Sequence, residues 1–152
     1  MSREHYDSMI GELGKALDIP LETDDTGYCC LEIDGSLLAH MQYIAVSDSF
    51  YVFFELGRIE SHALSSACER LLAANLFGVE TGGGVLAMHP DSHELVFSYS
   101  FSAAEEDHVR FRQILENVVH YAEYWKDELA SMNGGASAPI QADDPRLSML
   151  RV

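Results

Sequence analysis

A run of three glycines at positions 82–84 constrains the fold of this chain more than any other feature. Three consecutive glycines leave the backbone too free to continue a helix or a strand, which predicts a turn. Before the run, alanine and leucine recur near a 3.6-residue period, and Gly78 stands where a left-handed residue ends a helix. After it, residues 85–88 and 95–101 are typical of two strands, and Pro90 favours a turn between them.

Apolar periodicity along the whole chain predicts three helices and, before the glycine run, three further strands. The helices are expected at residues 3–18, 60–77 and 103–131, and the strands at 28–33, 37–46 and 50–56. Ser61 and Ser102 are the N-cap candidates of the last two helices. The predicted fold class is α+β, in the order helix, three-stranded meander, helix, two-stranded hairpin, helix, with an antiparallel sheet packed against the helices.

The predicted third strand, FYVFFEL at 50–56, is apolar on both faces. A strand of a one-sided sheet should alternate with polar residues, so this strand is expected to be covered twice. The chain's own helices are expected to cover one face, and a second subunit or a bound segment to cover the other. The first strand differs, because Leu31 and Ile33 alternate with Glu32 and Asp34, which indicates one exposed face.

Length and composition predict a single domain over residues 1–131 and a flexible tail over 132–152. The chain has 152 residues, of which 47% are hydrophobic, so it can build a real core. Its last stretch is rich in glycine, alanine, serine, proline and aspartate, a composition typical of mobile termini.

The charge of the chain argues against several classes of partner. The formal net charge is −16, from 25 acidic and 9 basic residues. Phosphate backbones and anionic lipid surfaces would repel it, so neither nucleic acid binding nor membrane insertion is predicted. No apolar run is long enough for a transmembrane helix, and the N-terminus lacks a signal-peptide pattern. Adjacent Cys29 and Cys30 point to opposite faces of a strand and do not pair, which fits a reducing cytoplasm.

The sequence contains no pattern that predicts catalysis or metal binding. Among seven histidines, His89 and His93 have the spacing of a ligand pair, but they flank a proline turn rather than lying on a helix. The glycine run lacks the G-K-[ST] ending of a phosphate-binding loop, and a strand follows it. Cys68 lies in a predicted helix, where a buried small residue is commoner than a nucleophile. We therefore expect no enzyme activity, no cofactor and no metal site.

Two stretches carry a resemblance to a known family. LLAANLFG at 71–78 and TGGGVLAMHPDSHELV at 81–96 resemble the middle of the class I type III secretion chaperones, the Tir-chaperone (CesT/SycE-like) family. Over residues 3–130 the order and size of the predicted elements are similar to those of the family. Two departures are the third glycine of the turn and His89, where the family commonly has an acid.

The resemblance implies a bacterial, cytoplasmic homodimer. Such a dimer binds the N-terminal extended segment of a secreted effector and keeps it soluble and competent for secretion without ATP. The implied partners are a second copy of the chain, the effector segment and the secretion ATPase. An alternative on the same fold is a regulatory or immunity-type domain that binds one folded partner.

The resemblance also assigns two sets of residues. Those that match the family's dimer region are Leu72, Asn75, Leu76, Phe77, Leu86 and Met88. Those that match its client-binding region by position are Ile10, Leu13 and Leu17 in the first helix and Leu31 and Ile33 in the first strand. For every one of them the alternative is packing in the monomer core, because a single sequence does not say which apolar face meets which surface.

Overall fold

The computed structural model describes residues 3–102 and 107–134, which form three α-helices and five β-strands. In chain order these are α1 (Arg3–Leu17), β1 (Tyr28–Ile33), β2 (Leu37–Ile44), β3 (Ser49–Arg58), α2 (Leu64–Ala74), β4 (Val85–Met88), β5 (Glu94–Ser102) and α3 (His108–Asn133). A short 3-10 turn, Leu76–Gly78, follows α2. The predicted α+β class and the predicted order of elements are confirmed.

The five strands form one antiparallel sheet in the order β1-β2-β3-β5-β4. The edges of the sheet are therefore β1 and β4. The third strand does not end at Gly57 as predicted, because it continues to Arg58 through a bulge between Glu55 and Gly57. Gly57 has a φ of 127° there, which is a backbone conformation that favours glycine.

Helices α1 and α3 pack against the same face of the sheet. Phe50 of β3 contacts both, with its ring centroid 5.1 Å from that of Tyr6 in α1 and 5.3 Å from that of Phe111 in α3. Phe101 of β5 stacks on Phe50 at 4.7 Å, and Trp125 of α3 is fully buried. Alternate residues of β3 and β5 point into this layer, and burying their large apolar side chains is the main stabilising term of the fold.

The opposite face of β3 presents Tyr51, Phe53 and Glu55. Tyr51 and Glu55 are exposed, and Phe53 is covered in part by the ring of His40, which stacks on it at 4.9 Å. The described residues therefore leave this face of the strand partly open. A second chain or a bound segment as its cover stays a prediction.

Two predicted helix caps are wrong. Ser61 does not cap α2, whose N-cap is Ala63 and has no side-chain hydrogen bond. Ser102 ends β5, and the N-cap of α3 is Asp107, whose Oδ1 accepts a 2.8 Å hydrogen bond from the backbone N–H of Arg110. That hydrogen bond lowers the pKa of Asp107, and its negative charge is favourable at a helix N-terminus.

Helix α2 ends before residue 77, earlier than predicted. It stops at Ala74, and Phe77 takes a left-handed φ of 56°, followed by Gly78 at 67°. Gly78 has the left-handed conformation that the sequence predicts, whereas a bulky residue at such a φ is an outlier. The chain therefore turns sharply between α2 and the glycine run.

The end of α3 is tied to the segment that precedes α2. Asn133 donates from Nδ2 to the carbonyl oxygen of Arg58 at 2.8 Å and accepts at Oδ1 from the N–H of Glu60 at 2.9 Å. Helix α3 thus runs to Asn133, two residues past the predicted domain end at 131. Residues 135–152 of the predicted tail lie outside the described part of the chain.

Candidate protein-binding surfaces

Three large apolar side chains at the end of α2 point into solvent. Leu72 is 74% exposed, Leu76 is 61% exposed and Phe77 is 91% exposed. We call these three residues the α2 patch. Large apolar side chains that cluster on a surface are typical of a site that binds protein.

Asn75 joins the end of α2 to the edge strand β4. Its Nδ2 donates to the carbonyl oxygen of Leu86 at 2.8 Å, and its Oδ1 accepts from the N–H of Leu86 at 2.9 Å. Leu86 itself is buried in its own chain, and Met88 is half-buried. The six residues assigned to a dimer region thus belong to the end of α2 and to β4, and of these six the α2 patch is the mostly exposed part. Their role in a dimer stays a prediction.

Arg70 holds α2 against α3 and the residues before the glycine run. Its Nη2 lies 2.6 Å from Glu80 Oε2 and 3.7 Å from Glu128 Oε2, and its guanidinium is 4.8 Å from the centre of the Trp125 ring. Trp125 Nε1 in turn donates to the carbonyl oxygen of Glu80 at 3.1 Å. Burial opposes the charge, yet the hydrogen bond and attraction from Glu80 raise the pKa of Arg70. This cluster fixes the position from which α2 presents its patch.

The glycine run packs closely against the rest of the chain. A Cβ on Gly82 would lie 2.3 Å from Tyr121 Cε2, and one on Gly84 would lie 2.4 Å from Phe97 Cε2. The fully buried Thr81 donates from Oγ1 to the carbonyl oxygen of Gly84 at 2.7 Å. The predicted turn is confirmed, and its glycines serve close packing as well as backbone freedom.

The five residues assigned to client binding fall into two groups. Ile10, Leu13 and Leu31 are no more than 8% exposed and belong to the core, so their side chains are not available to a partner in this conformation. Leu17 is 42% exposed and Ile33 is half-buried. A client surface in this region would therefore rest on Leu17 and Ile33, and it stays a prediction.

Ile19, two residues after Leu17 in the chain, is a further exposed apolar residue. It lies just past the end of α1 and is 38% exposed. Helical periodicity does not select it, because it follows the last turn of the helix. Ile19 lies between the end of a helix and Pro20, where no core residue is required. This position is the sequence signal that could have identified Ile19 as an exposed apolar residue.

The edge strand β4 is partly closed. In the antiparallel ladder with β5, Leu86 directs its backbone N–H and carbonyl away from the sheet, and Asn75 binds both. A strand added to this edge would have to displace that side chain. Closing an edge in this way protects a sheet against unwanted pairing.

The edge strand β1 is more open. The N–H of Tyr43 donates to the carbonyl oxygen of Gly27 at 3.1 Å, so the backbone of Gly27 faces β2. The backbone of Tyr28 faces away from β2, and its N–H donates to Asp24 Oδ1 at 3.0 Å. Alternation along the strand then directs the backbone groups of Cys30 and Glu32 away from the sheet. The described residues place no strand beside them.

Potential metal ligands are not concentrated anywhere in the described part of the chain. Residues 3–102 and 107–134 contain no cluster of three or more potential metal ligands. Cys29 is buried and Cys30 is exposed, in agreement with the predicted opposite faces of the strand, and both are free thiols. None of the described helices combines the length and apolar character that a membrane span requires.

Comparison with known proteins identifies the family. The model of the Tir chaperone protein (CesT) family matches residues 8–126. The chain belongs to this family. The resemblance that residues 71–97 carry is thereby confirmed. Curated protein sequences give no significant match.

Solved structures show that the Tir-chaperone fold is shared. The HopA1–SchA chaperone–effector complex gives a TM-score of 0.70 at 16% identity, covering 84% of this chain and 97% of that chain. The Yersinia pestis type III secretion chaperone SycH, in complex with a stable fragment of YscM2, gives 0.61 at 20% identity, covering 78% and 98%. The ExoT–SpcS complex from Pseudomonas aeruginosa gives 0.58 at 24% identity, covering 79% and 96%.

Proposed function

We propose that this chaperone is a homodimer that binds the N-terminal extended segment of a secreted effector in the bacterial cytoplasm and keeps it competent for secretion. The observation that carries the proposal is the α2 patch on a member of a chaperone family. An effector as client is supported by the HopA1–SchA structure of the same fold, which is a chaperone–effector complex.

The α2 patch supports self-association. In a two-fold dimer the same surface of both copies is buried, so one patch covers the other. Burying a large apolar side chain contributes roughly 1.5–3 kcal/mol, and two copies supply six such side chains. Residues Asn75, Leu86 and Met88 would support this interface from beneath or at its border.

An extended client is supported by the surface at the other edge of the sheet. A disordered segment loses conformational entropy when it binds, so its carrier must offer preformed apolar and backbone contacts. The open backbone groups of β1 can pair with such a segment, and Leu17, Ile19 and Ile33 provide apolar side chains nearby in sequence.

Holding a client in this way requires neither ATP nor catalysis. The bound state is favoured by mass action alone, as for any ligand that prefers one state of its partner. The energy for release then comes from elsewhere, and the secretion ATPase is the partner that the family resemblance implies. Direct binding of the purified ATPase to the chaperone–client complex would test that part of the proposal.

The dimer is tested by Leu76→Asp. A charge placed in the α2 patch, which the proposed dimer buries, should raise the dimer dissociation constant at least a hundredfold. Light scattering on a dilution series measures this change. Val46→Asp is the matched control, because Val46 is 100% exposed on the β2–β3 turn and the same change there should leave the dimer intact. A monomeric wild-type chain, or equal behaviour of the two variants, would contradict the proposed dimer.

The client is tested by limited proteolysis. An N-terminal fragment of a secreted effector, first that encoded beside this chain, is co-expressed with it and digested. The fragment should resist protease only in the complex, and the isolated fragment should bind as tightly as the whole effector. Binding that requires the folded remainder of the effector would favour the regulatory or immunity-type alternative.

A further inference from the structure

Acidic residues outnumber basic ones in the segment of the chain that contains β1, β2 and most of β3. Between Lys15 and Arg58 the sequence contains eight aspartate and glutamate residues and neither lysine nor arginine. This stretch contains β1, β2 and nearly all of β3, and of the eight acids Glu32 and Glu55 lie within these strands. Glu32 and Asp34 are exposed at the end of β1, and their carboxylates have no ion pair among the described residues.

Among the described residues, Arg3 contacts the loop before β1 and Lys126 contacts the β1–β2 turn. Arg3 donates from Nε to Asp7 Oδ1 at 2.8 Å, and its other nitrogens bind the carbonyl oxygens of Asp24 and Asp25. Lys126 donates to the carbonyl oxygen of Ser36 in the β1–β2 turn. Lys126 keeps its positive charge at the β1–β2 turn, so the carboxylate on the open edge of β1 that a partner can neutralise is that of Glu32, which has no ion pair among the described residues.

A strand added to this edge would present its side chains in two rows. One row would lie beside Cys30 and Glu32, which are exposed on the outer face of the sheet. The other row would lie beside Leu31 and Ile33, on the face that the helices cover, where Leu31 is 8% exposed. Because neighbouring strands match side chains face by face, the two rows require different chemistry.

We infer that the β1 edge binds a client strand in which apolar residues alternate with lysine or arginine. The apolar residues lie on the side of Leu31 and Ile33, and the cations lie beside Glu32. Cross-strand pairs of opposite charge attract and like charges repel, so the same edge disfavours an acidic strand. The inference rests on the proposed function and defines the chemistry of the segment that the chaperone holds.

The experiment compares two synthetic peptides of about ten residues, a typical upper length for one strand, with alternating valine and lysine or alternating valine and glutamate. Fluorescence anisotropy at about 0.15 M salt measures their affinities, where charges further apart than about 8 Å are largely screened. The valine–lysine peptide should bind at least tenfold more tightly. A valine–lysine peptide that is N-methylated at every residue should not bind, because it has no backbone N–H group left to pair with the edge.

Two variants locate the effect on β1. Glu32→Gln should weaken the valine–lysine peptide about threefold, in line with the loss of one cross-strand charge pair. Glu123→Gln, which removes one exposed charge from α3, should leave its affinity unchanged at this salt concentration.

Four results would overturn the inference: equal affinity for the lysine and glutamate peptides, binding of neither peptide, binding of the N-methylated peptide, or equal effects of the two variants. None of them bears on whether the chaperone protects an effector fragment from protease. That separate measurement decides the proposed function, so the two can fail independently.

Discussion

At the scale of single residues, Phe77 combines exposure with backbone strain. Its side chain is 91% exposed, so it contributes almost nothing to the fold of one chain, and its φ is 56°. A left-handed conformation costs a non-glycine residue on the order of 1–3 kcal/mol, and such strain persists where function requires it. We interpret Phe77 as an anchor that the chain holds outward for a second copy.

This interpretation predicts opposite effects of Phe77→Gly on folding and on association. Glycine accepts the positive φ, so the free energy of unfolding of the monomer should not fall and should rise by up to about 1 kcal/mol. The dimer dissociation constant should rise at least tenfold, because the anchor is lost. Urea unfolding in the Leu76→Asp background and sedimentation of the single variant measure the two quantities. A destabilised monomer with an unchanged dimer would show that Phe77 serves the fold instead.

Ionisation of Cys29 should lower the free energy of unfolding at alkaline pH. Burial raises the pKa of its thiol to about 11 from an ordinary value of 9.0, and burial likewise raises the pKa of Tyr6, whose hydroxyl oxygen lies 4.0 Å from Cys29 Sγ. Because the thiol has a higher pKa in the folded chain than in the unfolded chain, the unfolded chain loses its proton first as the pH rises. The contribution of Cys29 to the free energy of unfolding is therefore complete below pH 9 and is lost as the pH rises towards 11. The expected loss is about 3 kcal/mol for a shift of about two pKa units, at 1.36 kcal/mol for each unit.

Urea unfolding between pH 8 and about pH 11 measures this dependence. The Cys29→Ala variant should show a shallower fall in the free energy of unfolding over the same range, since it has no thiol to ionise. Cys30→Ala is the matched control, because it removes the exposed neighbouring thiol. In this variant the free energy of unfolding should fall with pH as in the wild type. Identical curves for the wild type and Cys29→Ala would mean that the thiol is not the titrating group.

At the scale of elements, two glycines in α1 test how the chain folds back after this helix. A Cβ on Gly14 would lie 2.9 Å from the carbonyl oxygen of Ile19 and 2.9 Å from Leu21 Cβ, whereas one on Gly11 would meet nothing within 4 Å. Gly14→Ala should lower the free energy of unfolding by about 1–3 kcal/mol through overpacking. Gly11→Ala should raise it by up to about 1 kcal/mol, because alanine favours the helix.

Thermal and urea unfolding of the two variants give this comparison directly. Both substitutions add one methyl group to the same helix, so they differ only in what that group meets. Equal effects of the two substitutions would show that the segment from Ile19 to Leu21 moves away from α1 at little cost. The contact of this segment with Gly14 would then not fix the positions of Leu17 and Ile19.

The two edge strands of the sheet differ in how accessible their outward backbone groups are. At β4, the side chain of Asn75 occupies the backbone of Leu86, so α2 is fastened there and strand addition is hindered. At β1, the groups of Cys30 and Glu32 remain open. The proposed self-association near β4 and the proposed client binding at β1 would therefore not compete for the same edge.

At the scale of the whole molecule, net charge sets how salt acts on each kind of binding. Each chain carries a formal charge of −16, so two copies repel each other, whereas a basic client is attracted. Raising sodium chloride from about 0.02 M to about 0.5 M shortens the screening length from roughly 20 Å to roughly 4 Å. The dimer should become about tenfold tighter and the valine–lysine peptide should bind more weakly.

Sedimentation of the chaperone and anisotropy of the peptide, over one salt series, test these opposite signs. Val46→Asp provides a control for added charge far from the α2 patch. A dimer that weakens with salt would indicate that ion pairs, and not the apolar patch, hold the two copies together.

Local sequence signals predicted much of the fold because they depend on near neighbours. The strands at 28–33 and 85–88 have the same bounds in the structure as in the prediction, since alternation and flanking turn residues define them. The sequence predicts the cap of α3 at Ser102, although Asp107 forms it, because several polar residues precede the helix and only the path of the chain selects one. The left-handed φ of Phe77 has no sequence signal at all, since bulky residues rarely adopt it.

The sequence by itself determined the α+β class, the order of elements and the family, because periodicity, turn residues and the 71–97 motif are properties of short stretches. Only the tertiary structure decided which apolar residues are buried and which are presented. Ile10 and Leu72 are both apolar residues of predicted helices, yet one is 1% and the other 74% exposed. The reason is physical: a period shows which side chains share a face, but the packing of distant elements decides whether that face meets the core or the solvent.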